Sequence, residues 1–392
     1  MMSSRDASAK DILCTRCFVT RNCAICIRSI ASRIVFPSSS VRGNRCRDSR
    51  SRECFKIGRM TMKTTALLTR RRLMTAGAGA AALLCAPSFG RANTWPSKPI
   101  RILAGFAAGG QTDQFSRAYG DYISRETGQT VVVENKTGAG GALAAVELKR
   151  SAPDGHTLMI TNTTTFMLNP VLMKDIRYDP LKDFAMISMM PSGSVPLFVS
   201  EKVPAKTLPE FIEYAKKSGK VNIGTYAAGS YAHIVVAELN KQYGLKMEAI
   251  HYRGEAPMFA DLAGQAIDAG IGTYVSAMPL LDTGKIRTIA TSRRRIPALP
   301  GVATFKEQGM TSRATSLMTF QGCVAPAGTP QEIVTKLSEL MVAAGKTDRI
   351  QEMLKKQGID EAAMTVAASQ NIYQEEAPVW AELAGSLGPV AQ

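Results

Sequence analysis

The chain has 392 residues with 48 Lys+Arg against 32 Asp+Glu, a net charge of +16. The excess sits at the front: residues 1–62 hold 13 basic and 4 acidic residues, residues 63–92 hold 5 and none, and residues 93–392 are near balance at 30 to 28. Basic charge therefore gives no ground for a nucleic-acid partner, and no stretch of the balanced part is long and apolar enough to span a bilayer.

In chain order, residues 1–62 are rich in Arg, Ser and Cys, lack a sustained apolar period and carry six of the eight cysteines. Cys14, Cys17, Cys23 and Cys26 make two Cys-x-x-Cys pairs. The gap between the pairs is far below the roughly 12 to 20 residues that a zinc ribbon or finger spans. No metal or other cofactor is expected. The segment reads as an over-extended start, with translation beginning at Met60 or Met62. Residues 69–74 then form a basic n-region, residues 76–86 a short apolar run, and Gly90, Arg91 and Ala92 a small-x-small cleavage site. That is an export signal cleaved near Ala92, too short for a membrane span. The Thr-Arg-Arg-x-Leu-Met pattern suits twin-arginine export as well as the general secretory route. Cys85 follows Leu84, where a lipoprotein signal needs a small residue, so a lipid anchor is not expected.

The remaining 300 or so residues exceed the usual size of one core, and two domains are expected. Extended apolar runs at 100–104, 130–134, 157–161, 185–190, 195–200, 221–225, 247–251, 267–272, 286–292 and 317–324 alternate with helical periods. The helices fall at 114–127, 141–150, 208–217, 231–243, 257–263, 330–344 and 365–387. Strand–helix alternation of this kind gives an α/β fold of mostly parallel sheets covered by helices on both faces. Cys323 is the one cysteine after residue 92, so the fold is expected to rest on its core without an internal disulfide.

The glycine-rich loop at 105–113 joins the first strand to the first helix. Such a turn points bare backbone N–H groups at an anion. Gly109 and Gly110 can both adopt positive φ. Thr112 is the expected N-cap, with Asp113 in the first turn. An ordinary tight turn would use the same residues. Four further polar turns follow strands or open helices, at 136–141, 161–165, 227–230 and 251–257. Ligands in open α/β sheets bind where such loops gather.

Enzyme signatures are mostly missing. There is no G-x-S-x-G elbow. Gly345, Lys346 and Thr347 end like a phosphate-binding loop, but Leu340 stands where its first glycine belongs. The run from Gly138 starts like a dinucleotide fingerprint and breaks at Leu143. His156, His233 and His251 have no partners at metal-ligand spacing. Arg293, Arg294 and Arg295 read as a solvated turn.

The part after the signal resembles the Bug (Bordetella uptake) family, the TctC-like substrate-binding proteins of tripartite tricarboxylate transporters. The resemblance rests on Trp95 to Ile100, on Gly109, Gly110, Thr112 and Asp113, and on Glu134 to Gly141. It continues through Pro153 to Gly155, Asn169 and Pro170, Tyr178 to Pro180, and Asp183 with Phe184. Gly229, Ser230 and His233, then His251 to Gly254 with Ala256 and Pro257, Gly284 to Arg287, and Glu307 to Gly309 complete it. Ala107, Ala108 and Thr137 stand where the family usually has prolines.

The resemblance implies a two-lobed periplasmic binding protein type II fold, a Venus flytrap with two hinge crossovers. One lobe would be 93–195 plus 319–392, the other 196–318. It implies a non-enzymatic, monomeric receptor that closes on a small organic acid or acidic amino acid. Partners would be small and large membrane permease subunits or a sensor protein. Phe106, Ala108, Gly109, Gly110, Thr112 and Asp113 would hold the ligand from the first lobe, with Thr163 and Thr164 as a second wall. Gly229, Ser230 and Tyr252 would close from the other lobe. The residues at 138–141 would serve packing and capping. Two other readings remain: a secreted hydrolase or isomerase with His233 or His251 as base, and an interaction protein that has lost ligand binding, which an occluded cleft would favour.

Overall fold

The computed structural model describes residues 95–385, 387 and 388. The expected extension, the export signal and its cleavage site lie outside the described residues.

The strands form two five-stranded sheets. In the first, β1 (Ile100–Ala104), β2 (Val131–Asn135), β3 (Thr157–Asn162), β4 (Phe184–Pro191) and β10 (Phe320–Pro326) lie in the order β2-β1-β3-β10-β4. In the second, β5 (Leu197–Ser200), β6 (Asn222–Thr225), β7 (Glu248–His251), β8 (Ala269–Ile271) and β9 (Ile286–Ala290) lie in the order β7-β6-β8-β5-β9. The β1, β2 and β3 strands pair in parallel, as do β6, β7 and β8. One strand in each sheet runs against its neighbours: β10 between β3 and β4, and β5 between β8 and β9. This is the two-lobed periplasmic binding protein architecture. Sequence pattern follows position. The interior strand β10 is buried at every residue, whereas the edge strand β2 is buried at none and alternates between half-buried and exposed.

The helices of eight residues or more among the described residues are α1 (Gln111–Thr127), α2 (Ala142–Lys149), α3 (Leu208–Ser218), α4 (Tyr231–Tyr243), α5 (Glu255–Ala263), α6 (Tyr274–Leu281), α7 (Gln331–Gly345), α8 (Asp348–Lys356) and α9 (Val366–Gly385). Two of these escape the sequence pattern. The α6 helix is apolar nearly all round and contains Pro279, so it shows no polar face. The α8 helix buries only Ile350 and Leu354, too few positions to mark a period.

Ile100, Ile102, Leu158 and Ile160 pack with Phe115, Tyr119, Leu337, Met341 and Leu354, which puts α1, α7 and α8 on one face of the first sheet. Phe198, Met258, Phe259, Leu262 and Ala277 form the matching core under α5 and α6 on the second. Burying each such side chain contributes roughly 1.5–3 kcal/mol. Cys323 is buried in the first core, where burial pushes its thiol up to about 12, so it stays protonated and inert. The chain passes between the sheets twice, after Pro191 and again between Ala290 and Phe320.

Candidate ligand-binding cleft

The site is built outward from the end of β1. Its first loop is held by Asp113, which reaches back from the first turn of α1. Its carboxylate accepts the Gly109 N–H at 3.0 Å and the Asn135 amide at 3.0 Å, and pairs with Arg117 at 2.9 Å. Burial would raise the Asp113 pKa, but Arg117, the Gly109 N–H and Asn135 together hold it below its ordinary value. The same Asn135 amide donates to the Phe106 carbonyl at 3.0 Å. Gly109 takes the left-handed conformation, φ 82°. Gly110 does not: it is the N-cap of α1, extended at φ −77° and ψ 171°. Thr112 is therefore inside the helix and caps nothing, which corrects the sequence expectation. A glycine cap has no side chain to offer, so the first N–H groups of α1 are not satisfied locally.

Those groups face a cavity of about 20 Å³ between the two sheets, room for little more than one water. Phe106, Gly110, Gln111, Thr112, Asn162, Thr163, Ser192, Thr319 and Gln321 line it from the first sheet's side. Tyr226, Glu255 and Thr273 line it from the second. Among the described residues no lysine or arginine lines it. The first wall is a network of uncharged groups. Thr112 Oγ1 donates to Gln321 Oε1 at 2.9 Å, and Gln321 Nε2 donates to Gln111 Oε1 at 3.2 Å and to Ser192 Oγ at 3.3 Å. Gln111 Nε2 donates to the Ser192 carbonyl at 2.9 Å. Thr163 Oγ1 accepts the Phe320 N–H at 2.8 Å. The Thr319 hydroxyl is buried with no protein partner.

The second wall brings one charge. Glu255 opens α5 and is 7% exposed. Its Oε2 accepts the Gln111 N–H at 3.2 Å across the cleft, and the Thr273 and Ser276 hydroxyls at 2.7 and 2.5 Å. Its Oε1 accepts the Thr273 N–H at 2.7 Å. Tyr226 packs edge-on against Phe106 at 6.1 Å. Burial first, then the charge of Glu255, raises the Tyr226 phenol well above its ordinary value, so it remains a donor.

Of the residues singled out by sequence, Phe106, Gly110, Thr112 and Thr163 come together in this cavity. Ala108 and Gly109 are exposed at the rim, and Asp113 braces the loop from behind. Thr164 is buried, its N–H given to Asn162 Oδ1 at 3.0 Å. Gly229 and Ser230 form the start of α4 and do not line the cavity. Tyr252 lines a neighbouring groove of about 440 Å³ that shares Phe106 and Tyr226 with the cavity and also holds residues 138–141, His251 and Arg253. Its hydroxyl donates to Asp261 at 2.7 Å. Gln111, Asn162, Ser192, Tyr226, Glu255, Thr273, Thr319 and Gln321 carry no motif that marks them. Only their positions just past strand ends or beside glycine turns could have found Gln111, Tyr226 and Glu255.

The His233 and His251 rings stack edge to face at 4.5 Å outside the cavity. His233 Nδ1 accepts the Gly229 N–H at 3.1 Å, and His251 Nδ1 meets Thr225 Oγ1 at 2.7 Å. The arginine run is a solvated turn in which Arg294 pairs with Asp360, and Arg295 with Glu307 at 3.1 Å. Among the described residues no metal cluster forms, and no helix is long and apolar enough to cross a membrane.

The sequence model of the Tripartite tricarboxylate transporter family receptor matches residues 115–388. Three solved structures are similar along their whole length. A Rhodopseudomonas palustris protein solved with adipate is 27% identical, with 76% of this chain and 100% of that one covered and a TM-score of 0.72. The periplasmic binding protein BugD is 29% identical, with 74% and 99% covered and a TM-score of 0.69. MatC from Rhodopseudomonas palustris, solved with malate, is 27% identical, with 74% and 100% covered and a TM-score of 0.67. One of these relatives is named a periplasmic binding protein, and the other two were solved with a dicarboxylate.

Proposed function

The chain belongs to the tripartite tricarboxylate transporter receptor family, and on that premise we propose that it is a periplasmic receptor for a small organic carboxylate, serving the small and large membrane subunits of a solute symporter or a sensor. The observation that carries this is the cavity itself. It lies between two sheets, is walled by both, and has the uncapped start of α1 aimed into it. Similar proteins of known structure hold adipate and malate. In this reading 93–195 with 319–392 and 196–318 are the two lobes. They part and close about the two crossovers, and the ligand meets the hydroxyls of Thr112 and Thr163 beside the start of α1. Each hydrogen bond that a ligand carboxylate gains contributes roughly 1.5–3 kcal/mol.

Native mass spectrometry of freshly purified protein is expected to reveal a co-purifying small acid. Small-angle scattering is expected to show a smaller radius of gyration once that acid is restored to stripped protein. An unchanged radius at saturating acid, or turnover of the acid, overturns the receptor reading.

The closed volume of about 20 Å³ favours a second reading, an interaction protein that no longer binds a solute. Protein that carries no acid and gains none from a panel of mono-, di- and tricarboxylates supports that reading instead.

A further inference from the structure

Glu255 is the one charged side chain lining the cavity among the described residues. Four donors converge on it: the Gln111 and Thr273 N–H groups and the Thr273 and Ser276 hydroxyls. Gln111 is the first residue of α1, Thr273 is the N-cap of α6, and Glu255 itself begins α5. The starts of α1 and α6 therefore meet on a carboxylate that itself opens α5. An anionic ligand group would be held in the same way, but here the protein supplies the anion.

We propose that Glu255 is a built-in occupant of the inner anion subsite and thereby sets the ligand class: acids with one carboxylate and an uncharged opposite end, in preference to diacids. The proposal rests on the carboxylate-receptor reading above. A diacid needs two anion subsites. The inner one is filled, and a second carboxylate arriving beside Glu255 meets a like charge with no lysine or arginine in the cavity to offset it. The neighbouring groove, which shares Phe106 and Tyr226 with the cavity as lining residues, carries Arg253, which has no ion-pair partner among the described residues. One ligand carboxylate is matched by that cation. At the inner end the partnerless hydroxyl of Thr319, 6% exposed, suits an uncharged polar group such as a hydroxyl or carboxamide.

The test uses the full-length protein, wild type, Glu255→Ala and Glu255→Gln, titrated with hexanoate and adipate, with thermal unfolding in acetate against chloride at equal ionic strength. Wild type is expected to bind hexanoate at least tenfold tighter than adipate. Both variants are expected to shift that ratio towards adipate by at least tenfold, Glu255→Gln guarding against a folding defect in the smaller variant. Acetate fills the space vacated in Glu255→Ala and is expected to raise its Tm by more than it raises that of the wild type. Acetate that fails to stabilise Glu255→Ala beyond wild type overturns the proposal whatever the longer acids do. So does a wild type that prefers adipate. If no acid binds the wild type while acetate still stabilises Glu255→Ala alone, the built-in occupant stands and the carboxylate-receptor reading falls.

Discussion

The two sheets follow one plan, and the loops after their corresponding strands, β1 and β6, can be compared directly. Both loops are small and glycine-bearing, and both lead into a helix. After β6 the helix start is closed by its own residues. Ser230 Oγ accepts the His233 N–H at 3.4 Å, and His233 Nδ1 accepts the Gly229 N–H at 3.1 Å. After β1 the cap is Gly110, which has no side chain, and the Gln111 N–H goes to Glu255 of the other wall. The same sequence signature thus yields a helix start sealed by its own side chains in one sheet and one met by the opposite wall in the other. What makes a binding end is the missing cap and not the glycine turn.

The largest effect is expected where the two walls touch. Gly254 sits at φ 141°, a conformation side chains rarely adopt, and a Cβ there would lie 2.7 Å from Ala107 Cβ and 2.8 Å from Ala107 N. Gly254→Ala therefore strains its own backbone by about 1–3 kcal/mol and wedges the second wall away from the first loop. Affinity for the co-purifying acid is expected to fall about a hundredfold, about 2.7 kcal/mol. The scattering radius should stay at its ligand-free value when the acid is added. A variant that still contracts would show that the loop contact does not govern closure.

A pair of substitutions sharpens the comparison of the two helix starts. At Gly110 a Cβ would lie 3.3 Å from the Ala107 carbonyl and 3.7 Å from Glu255 Oε2. The backbone there is extended, so Gly110→Val costs little in φ, and its methyl groups crowd the cavity instead. Affinity should drop at least tenfold, about 1.4 kcal/mol, with Tm nearly unchanged. Ser230→Ala removes a cap that never reaches the cavity. It should lower stability by about 1 kcal/mol and leave affinity alone. If Ser230→Ala weakened binding as much as Gly110→Val, both helix starts would be serving the ligand and the contrast would fail.

The alternation of strands with helices was legible because buried parallel strands read as mostly apolar runs, as in residues 100–104 and 157–161. The site was less so. Phe106, Gly110, Thr112 and Thr163 stand out as residues next to a strand end. Gln321 and Thr319 lie on or beside β10, which the chain reaches only after leaving the second sheet, so nothing local ties them to Thr112. Glu255 looks like an ordinary acidic residue in the first turn of a helix. Its role depends on a neighbour 144 residues earlier, and no periodicity records that contact. Conversely, Gly229 and Ser230 carry the glycine-turn signal but spend it on a cap.

The smallest effect is expected from pH, through the sealed helix start. His233 is held to about 4 against an ordinary 6.5, first by burial and then by the neighbouring His251. Its Nδ1 must be unprotonated to accept the Gly229 N–H, which places the ring proton on Nε2. As pH falls below 6.5 the unfolded chain takes up a proton that the folded protein refuses until about 4. The unfolded state then binds more protons, so stability falls with pH through this window and is fully present above it. His251 is lowered as well, by burial, and adds in the same direction. Glutamine at position 233 does not titrate. The Tm of His233→Gln should therefore decline less than that of wild type between pH 6.5 and 5, before the carboxylates begin to take up protons. Identical slopes over that interval would mean that the folded protein already accommodates a charged His233 and that the Gly229 contact does not control its protonation.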